Sequence, residues 1–289
     1  MSGAAAPAYA QPKRLRFGEG TRSPARSLSL TLVFWLCGSL LLGFILLPLL
    51  RLTASQSAAS LQRVAAMEDV RLAIRLSLEG AFLTALLAAL FGVPLAYLLA
   101  RGRFPGRALV AAVVDLPLAV PHTVAGIALL FVLGRDGIIG APAAALFGLK
   151  FWGTLAGIVA AMLFVSIPYT VNAARIGFEA VDPRLEMTAR TLGLGPWQVL
   201  RRITLPLAWR SIATGLTLTY ARAISEFGAV VVLVYYPMSA PVKIYELFLR
   251  FGLDDAAAMS VLLLAIALGL FILLRLLAFG RVAPPGPGR

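Results

Sequence analysis

Six long apolar stretches constrain the fold of this chain more than any other feature of its sequence. The first covers residues 28–50, and a helix of that length extends roughly 34 Å, enough to cross the hydrocarbon core of a bilayer. The other five cover residues 74–100, 108–133, 151–173, 212–234 and 256–277. Such stretches favour helices over barrel strands, because backbone in lipid must satisfy its own hydrogen bonds. We therefore predict an all-α polytopic membrane protein with six transmembrane helices.

The composition agrees with a membrane protein. Of the 289 residues, 60% are hydrophobic and 13% are charged, a balance too apolar for an ordinary soluble domain. The formal net charge is +13, but the basic residues alternate with the apolar stretches, so they indicate membrane sidedness rather than nucleic-acid binding. Cys37 is the single cysteine, which excludes an intrachain disulfide and a cysteine-based metal site. We predict no metal site.

The basic residues predict the orientation of the chain. Five of them lie in residues 1–27, three in residues 101–107 and six in residues 175–210, and all these segments fall on one side if six helices alternate. The opposite loops carry several acids instead, so the positive-inside rule places both termini in the cytoplasm. We divide the chain into an N-terminal tail (1–27), a transmembrane domain (28–279) and a C-terminal tail (280–289).

A basic segment, residues 182–206, separates the fourth and fifth apolar stretches. Asp182 and Pro183 are typical of a helix start, and Gly193 and Gly195 permit a sharp turn. Pro196 begins a second short helix that the pair at 205–206 closes. We predict two short amphipathic helices whose apolar face packs on a cytoplasmic partner or on the bilayer surface.

This segment resembles the EAA signature of ABC importer permeases, in which a glycine is followed ten residues later by isoleucine and then by Leu-Pro. Gly193, Ile203, Leu205 and Pro206 match that spacing. The family's glutamate falls at Met187, one position after Glu186. The resemblance implies a type I ABC importer permease fold and a coupling loop, about residues 174–210, that docks on a separate ATPase. The residues it assigns to coupling are Glu186, Met187, Ala189, Leu192, Gly193, Leu194, Gly195, Ile203, Leu205 and Pro206.

The sequence contains no G-x-x-x-x-G-K-[ST] loop to hold nucleotide phosphates. We therefore predict a permease subunit that is not itself an enzyme and has no cofactor of its own, with ATP and Mg on the partner subunit. The resemblance implies as partners a second copy of this chain, two ATPase subunits and an external substrate-binding protein. It also implies a location in the inner membrane, in contact with lipid and without nucleic acid.

The fifth apolar stretch contains two charged residues, Arg222 and Glu226, that are neighbours on a helix. Charges at membrane depth usually face the bundle interior, and both a structural ion pair and a place in the translocation path remain open. Residues 225–229 read SEFGA and resemble the GEFGA hallmark of molybdate and sulfate permeases. The following YYPMSAPVKIYELF is most similar to the molybdate/tungstate branch. This implies a tetrahedral oxyanion as substrate, with a sulfate/thiosulfate permease as the alternative.

A transported anion needs hydrogen-bond donors that do not hold it too tightly, because release is part of transport. Hydroxyls, small residues and backbone amides meet that need better than a cage of arginines. The candidates for the translocation path or its gate are Thr123, Arg222, Ser225, Glu226, Phe227 and Gly228. His122 and the nearby Pro117 and Pro121 also predict a kink in the third apolar stretch.

Two further alternatives remain open. A self-contained ion-coupled transporter would use Glu79, Asp115 and Glu226 as coupling groups, although internal repeats typical of such transporters are not evident. Interhelical pairing, with residues such as Arg75, is the other interpretation of these acids.

The predicted external loop, residues 235–255, carries an apolar helical stripe that would either form a gate or binding-protein surface, or pack on the sixth helix. The stripe consists of Val242, Tyr245, Phe248 and Leu249.

Overall fold

The computed structural model describes residues 24–279, with side chains described from residue 30 to residue 276. Within this range the chain is helical and contains no strand. The predicted C-terminal tail and most of the predicted N-terminal tail lie outside the described residues. The helices are α1 (Pro24–Ala54), α2 (Ala58–Ala66), α3 (Glu68–Leu87), α4 (Val93–Arg101), α5 (Arg107–Ala119), α6 (His122–Leu133), α7 (Gly140–Phe147), α8 (Leu155–Glu179), α9 (Pro183–Thr191), α10 (Pro196–Val199), α11 (Leu205–Ile224), α12 (Gly228–Leu233), α13 (Ala240–Phe251) and α14 (Leu253–Phe279).

The prediction of six continuous membrane-spanning helices is not confirmed. Four helical segments of the described range are long and apolar enough to cross a membrane: Leu30–Ala54, Glu68–Arg101, Leu155–Glu179 and Leu253–Leu276. Helices α5 and α6, which bend by 115° relative to each other, make a fifth if they are counted as one broken span. The structure therefore supports a multi-pass membrane protein with four or five candidate spans.

The third apolar stretch is broken rather than kinked. Helix α5 ends at Ala119 and α6 begins at His122. Pro121 has no amide hydrogen and its ring clashes with the carbonyl four residues earlier, so it cannot continue α5. Val120 accordingly has extended backbone angles, φ −81° and ψ 129°, as expected for a residue before proline. The predicted kink is thus present at Pro121 in a stronger form.

The fifth apolar stretch, predicted as one helix over residues 212–234, is divided in the structure. Helix α11 ends at Ile224, three non-helical residues follow, and α12 begins at Gly228. Polar side chains replace the helical hydrogen bonds at the break: the hydroxyl of Ser225 donates to the carbonyl of Arg222 (3.0 Å). The carboxylate of Glu226 accepts from the amide of Ala229 (2.8 Å). Such local side-chain bonds compete with a continuous helix.

Helix α8 lies at the centre of residues 54–289 and packs against α3, α4, α5, α11 and α12. Its Ile158, Met162 and Val165 join one buried apolar cluster, and its Val171 and Phe178 join a second. A buried hydrogen bond of 2.6 Å between the hydroxyls of its Thr170 and of Thr219 also links α8 to α11. Residues 24–53 of helix α1, in contrast, belong to a separate unit.

The segment between the fourth and fifth apolar stretches forms two short helices, as predicted. Asp182 caps α9 by accepting a hydrogen bond from the amide of Arg184 (2.9 Å), and Gly193 has φ +86°, a conformation that glycine adopts without strain. The prediction that Leu205-Pro206 closes the second helix is wrong. Helix α10 continues through a π-helical turn, Leu200–Thr204, into α11. Pro206 lies in the first turn of α11, directly after this π-helical turn.

Candidate functional site

The breaks in the third and fifth apolar stretches meet each other. A Cβ atom on Gly228, the first residue of α12, would lie only 2.7 Å from the Cβ of His122, the first residue of α6. One turn further along, a Cβ on Gly126 would lie 2.8 Å from the Cβ of Val232. Real Cβ atoms do not approach this closely, so the contact between α6 and α12 requires glycine at both positions.

A buried carboxylate lies at this junction. Glu226 is 1% exposed, and its Oε2 accepts a hydrogen bond of 2.6 Å from Nη2 of Arg222. The same oxygen is 3.5 Å from Nδ1 of His122, while Oε1 caps α12 at Ala229. A buried charge is tolerated only when it is paired and hydrogen-bonded, and both oxygens of Glu226 have partners.

Arg222 connects the buried carboxylate to the surface. Its side chain is 22% exposed, its Nη1 donates to the hydroxyl of Ser225 (3.3 Å), and its Nη2 lies 3.2 and 3.0 Å from the two ring nitrogens of His122. Because a guanidinium only donates, the nitrogen of His122 that faces it acts as an acceptor. Ser225 and the neighbouring Thr123 are exposed, so donor groups surround the open side of the junction.

The structure thus brings the predicted path residues together but divides their roles. Arg222, Ser225 and Thr123 lie on the open side, where the hydroxyl of Ser225 donates to the carbonyl of Arg222, whereas Glu226 and Gly228 are buried. Phe227 is half-buried and packs edge-on against Tyr245 of α13, with ring centroids 5.2 Å apart. The negative charge of Glu226 offsets the positive charge of Arg222. An anion here would therefore meet hydrogen-bond donors with little net positive charge.

The three acids considered for ion coupling have separate partners. Glu79 accepts from Nε of Arg75 (2.7 Å), and Asp115 accepts from the amide of Asn172 (2.6 Å). Glu226 is bound to Arg222 at the junction. The residues that the structure describes contain no group of three or more His, Cys, Asp or Glu side chains that could hold a metal ion.

The predicted coupling residues fall into three sets by exposure. Met187, Leu192, Gly193 and Pro206 are exposed, Leu194, Gly195, Ile203 and Leu205 are half-buried, and Glu186 and Ala189 are buried. Leu185 and Trp197 are also exposed, although the family signature does not contain them. Helices α9 and α10 therefore present large apolar side chains outward, which is unusual for a basic segment in water and typical of a docking surface.

Helix α13 is anchored by ion pairs that the sequence reasoning missed. Lys243 is buried and its Nζ lies 2.6 Å from both Asp69 and Glu246. Arg250 also pairs with Glu246 at 2.6 Å. Burial disfavours the charge on Lys243, but its hydrogen bonds to Asp69 and Glu246 outweigh burial and raise its pKa. The i, i+3 and i, i+4 spacing of these three α13 residues was the available signal.

The predicted apolar stripe of α13 is divided between two environments. Val242 is buried, and the amide of Ala240 donates to the hydroxyl of Ser77 (2.7 Å), so this end of α13 packs inward. The other three stripe residues, Tyr245, Phe248 and Leu249, are exposed. One residue of the stripe therefore packs inward and three form an exposed apolar surface; the role of that surface as a gate or binding-protein contact stays a prediction.

Comparison with known proteins identifies the family. The family described as "Binding-protein-dependent transport system inner membrane component" matches residues 92–284. The chain is 44% identical over 245 residues to the molybdate/tungstate transport system permease protein WtpB of Thermococcus kodakarensis, which covers 84% of this chain and 94% of that protein. It is 38% identical over 221 residues to the molybdenum transport system permease protein ModB of Escherichia coli, covering 75% of this chain and 96% of that protein.

The fold also has a solved counterpart. A chain of the bacterial alginate ABC transporter, crystallised in complex with an alginate pentasaccharide-bound periplasmic protein, matches with a TM-score of 0.73. The match covers 89% of this chain and 96% of that chain at 18% identity, so it shows the fold alone. Together with the names of the relatives, it confirms the predicted resemblance to importer permeases and the prediction of a permease subunit rather than an enzyme. The chain belongs to the family of binding-protein-dependent transport system inner membrane components.

Proposed function

We propose that this chain is the transmembrane permease subunit of an ATP-driven importer for a tetrahedral oxyanion, most closely molybdate or tungstate. The observation that carries the proposal is the 44% identity, over 84% of the chain, to a protein named as a molybdate/tungstate permease. The importer would contain two copies of this chain in the inner membrane with both termini in the cytoplasm. An external binding protein would deliver the anion.

The junction of α6 and α12 supports an anion path. Arg222 and Thr123 offer charged and helix-end donors on the open side of the junction, and the hydroxyl of Ser225 would donate to an anion by exchanging its bond to the carbonyl of Arg222. Glu226 neutralises Arg222 from the buried side. This combination binds a dianion weakly enough to release it, as a translocation path requires, and leaves tight selection to the binding protein.

The coupling loop supports a separate ATPase. The sequence contains no phosphate-binding loop, while α9 and α10 expose Leu185, Met187, Leu192 and Trp197. Such a surface fits an apolar groove on a partner, and ATP and Mg would be bound by that partner. An ABC ATPase that closes on ATP would move these helices and thereby switch the path between its inward-open and outward-open forms.

Uptake of labelled anions into vesicles tests the proposal. The chain is reconstituted with an ATPase and a binding protein of the same transport system, and uptake of molybdate, tungstate and sulfate is measured with ATP and with a non-hydrolysable analogue. We expect ATP-dependent uptake of molybdate and tungstate that excess sulfate does not block. Uptake of sulfate in preference to both would replace the proposed substrate by the sulfate alternative, and no ATP-dependent uptake of any of the three would refute the proposal.

A pair of glycine variants adds a test of the loop. Gly193 has φ +86°, so Gly193→Ala strains the turn, by about 1–3 kcal/mol, and we expect lower ATP-driven uptake. Gly195 has φ −67° and ψ 161°, angles that alanine adopts freely, and an added Cβ would meet only Oε1 of Gln198, at 3.9 Å. Gly195→Ala is therefore the matched control and should transport normally. Equal transport by both variants would show that the geometry of the turn does not matter for coupling.

A further inference from the structure

Glu186 is buried in a segment whose other large side chains point outward. It is 5% exposed, whereas Met187, which occupies the position of the family's glutamate, is 55% exposed. Adjacent residues on a helix lie about 100° apart around its axis. An acid at position 186 instead of position 187 therefore lies on the inner face of α9 instead of its outer face. The outer face of α9 is left apolar at this point.

The partners of Glu186 come from two other elements. Its Oε1 accepts a hydrogen bond of 3.1 Å from Nε of Arg101, the last residue of α4, and one of 2.9 Å from the hydroxyl of Thr204. Thr204 is fully buried and directly precedes α11. Nη2 of Arg101 donates in turn to the carbonyl of Val181 (2.7 Å), in the link between α8 and α9.

One carboxylate thus joins the coupling loop to the ends of two long helical segments. Arg101 ends the candidate span Glu68–Arg101, and Thr204 leads into α11, whose other end carries Arg222. Charge-assisted hydrogen bonds are about twice as strong as neutral ones, and these lie away from water. A displacement of α9 must therefore pull on α4 and α11 or break the contacts of Glu186.

The nearest other cation does not change this arrangement. Nη2 of Arg190 is 3.9 Å from Oε2 of Glu186, and its side chain is 54% exposed. A pair at this distance and exposure contributes little. The Arg101 side chain is 19% exposed and makes the shorter contact, so it is the main charge partner of Glu186.

We infer that Glu186 is a positioning residue that transmits movement of the coupling loop to α4 and α11 through Arg101 and Thr204. The contact with the ATPase would be made by the exposed apolar side chains of the loop, which include Met187. This inference rests on the proposed function, because it requires an ATPase docked on the loop.

The test separates docking from transmission in the reconstituted complex of full-length chains. Glu186→Gln keeps the size and one acceptor oxygen but removes the charge. We expect it to assemble with the ATPase at normal yield while oxyanion transported per ATP hydrolysed falls about tenfold, within the usual range of coupling between sites. Met187→Ala should show the opposite pattern, with weaker ATPase binding and normal transport per ATP in the complexes that form.

Control and rescue variants make the result specific. Glu179→Gln removes a carboxylate from a more exposed pair with Arg107, at 3.4 Å, and should leave the transport ratio unchanged. Arg101→Gln combined with Glu186→Gln should lose less than the sum of the two single losses, because both changes remove the contact between Arg101 and Glu186, while only Arg101→Gln also removes the hydrogen bond to the carbonyl of Val181. Thr204→Val removes only the hydroxyl donor and should partly reduce the oxyanion transported per ATP hydrolysed. This variant tests the same contact if Glu186→Gln does not fold.

Three results would overturn the inference. One is a normal transport ratio in both Glu186→Gln and Thr204→Val. Another is loss of ATPase binding in Glu186→Gln with normal binding in Met187→Ala, which would make Glu186 the docking contact. The third is an additive loss in the Arg101 and Glu186 double variant. Absence of ATP-driven uptake by the unmodified complex would instead refute the proposed function itself, so the two failures are distinguishable.

Discussion

Replacing Glu226 by glutamine removes the charge that balances Arg222 at the junction of the two broken helices. Glu226 is 1% exposed and its pair with Arg222 is 2.6 Å long, so the change leaves a largely buried cation without its counter-charge. Breaking a buried pair in this way costs about 3–5 kcal/mol. Glutamine still offers an oxygen to the amide of Ala229, which places the expected loss at the lower end, about 3 kcal/mol.

Thermal unfolding of the purified protein in detergent measures this loss. A destabilisation of about 3 kcal/mol lowers the Tm by roughly 6–12 °C for a chain of this size. The matched control is Glu79→Gln, because Glu79 and Arg75 form another i, i+4 pair, at 2.7 Å, whose side chains are 42% and 74% exposed. We expect the control to lower the Tm much less, because neither of its side chains is buried in the protein and the change leaves no buried charge unpaired.

The double variant Arg222→Gln, Glu226→Gln separates stability from transport. It leaves no unpaired charge at the junction, so it should recover part of the Tm that Glu226→Gln loses, which is a non-additive result. If Arg222 is a donor in the anion path, the recovered protein should still transport poorly. A Tm of Glu226→Gln equal to that of Glu79→Gln would refute the reasoning, because it would show that the pair carries no buried charge.

Two further predictions concern packing and pH. Gly228→Ala places a Cβ 2.7 Å from the Cβ of His122 and should destabilise the protein by about 1–3 kcal/mol. The control is Gly269→Ala, whose added Cβ has no atom within 4 Å. Equal Tm values for the two variants would contradict the close contact. Burial alone would raise the pKa of Glu246, but its hydrogen bonds with Arg250 and Lys243 lower it below 4.5. Its stabilising effect is therefore full above pH 4.5 and is lost as the pH falls through the lowered value. The Tm of the unmodified protein should therefore decline over this acid range more than the Tm of Glu246→Gln. An equal decline in both proteins would contradict that assignment.

The helical content and the coupling loop could be predicted because each depends on local sequence. Long apolar stretches specify membrane helices whatever their neighbours are. In the loop, the cap at Asp182 and the positive φ at Gly193 are properties of residue type. A kink at Pro117 and Pro121 could be predicted in the same way, but not the complete break at Pro121, because Pro117 and Pro168 lie inside helices of the same structure.

The break after Ile224 could not be predicted from hydropathy, because it depends on contacts with another part of the chain. Residues 212–234 carry no charged side chain apart from Arg222 and Glu226, and the average hydropathy of such a stretch predicts one helix. The break also places Gly228 against His122 of α6, a contact between residues 106 positions apart. Sequence reasoning identified the residues of this site but not the geometry that joins them.

The direction in which Glu186 points could not be predicted either. Its alignment with the family signature left open whether the acid faces a partner, is replaced by Met187, or is absent as a contact. The outcome depends on whether a cation reaches the inner face of α9, and Arg101, 85 residues earlier in the chain, does so. A similar long-range contact, between Lys243 and Asp69, fixes α13.

The most direct test of the account compares two driving forces in the same vesicles. Molybdate uptake is measured first with the ATPase, the binding protein and ATP, and then for this chain alone under an imposed proton or sodium gradient. We predict uptake that requires all three components and none under either gradient. Gradient-driven uptake by this chain alone, abolished by replacing Glu79, Asp115 or Glu226, would contradict the account and establish a self-contained transporter.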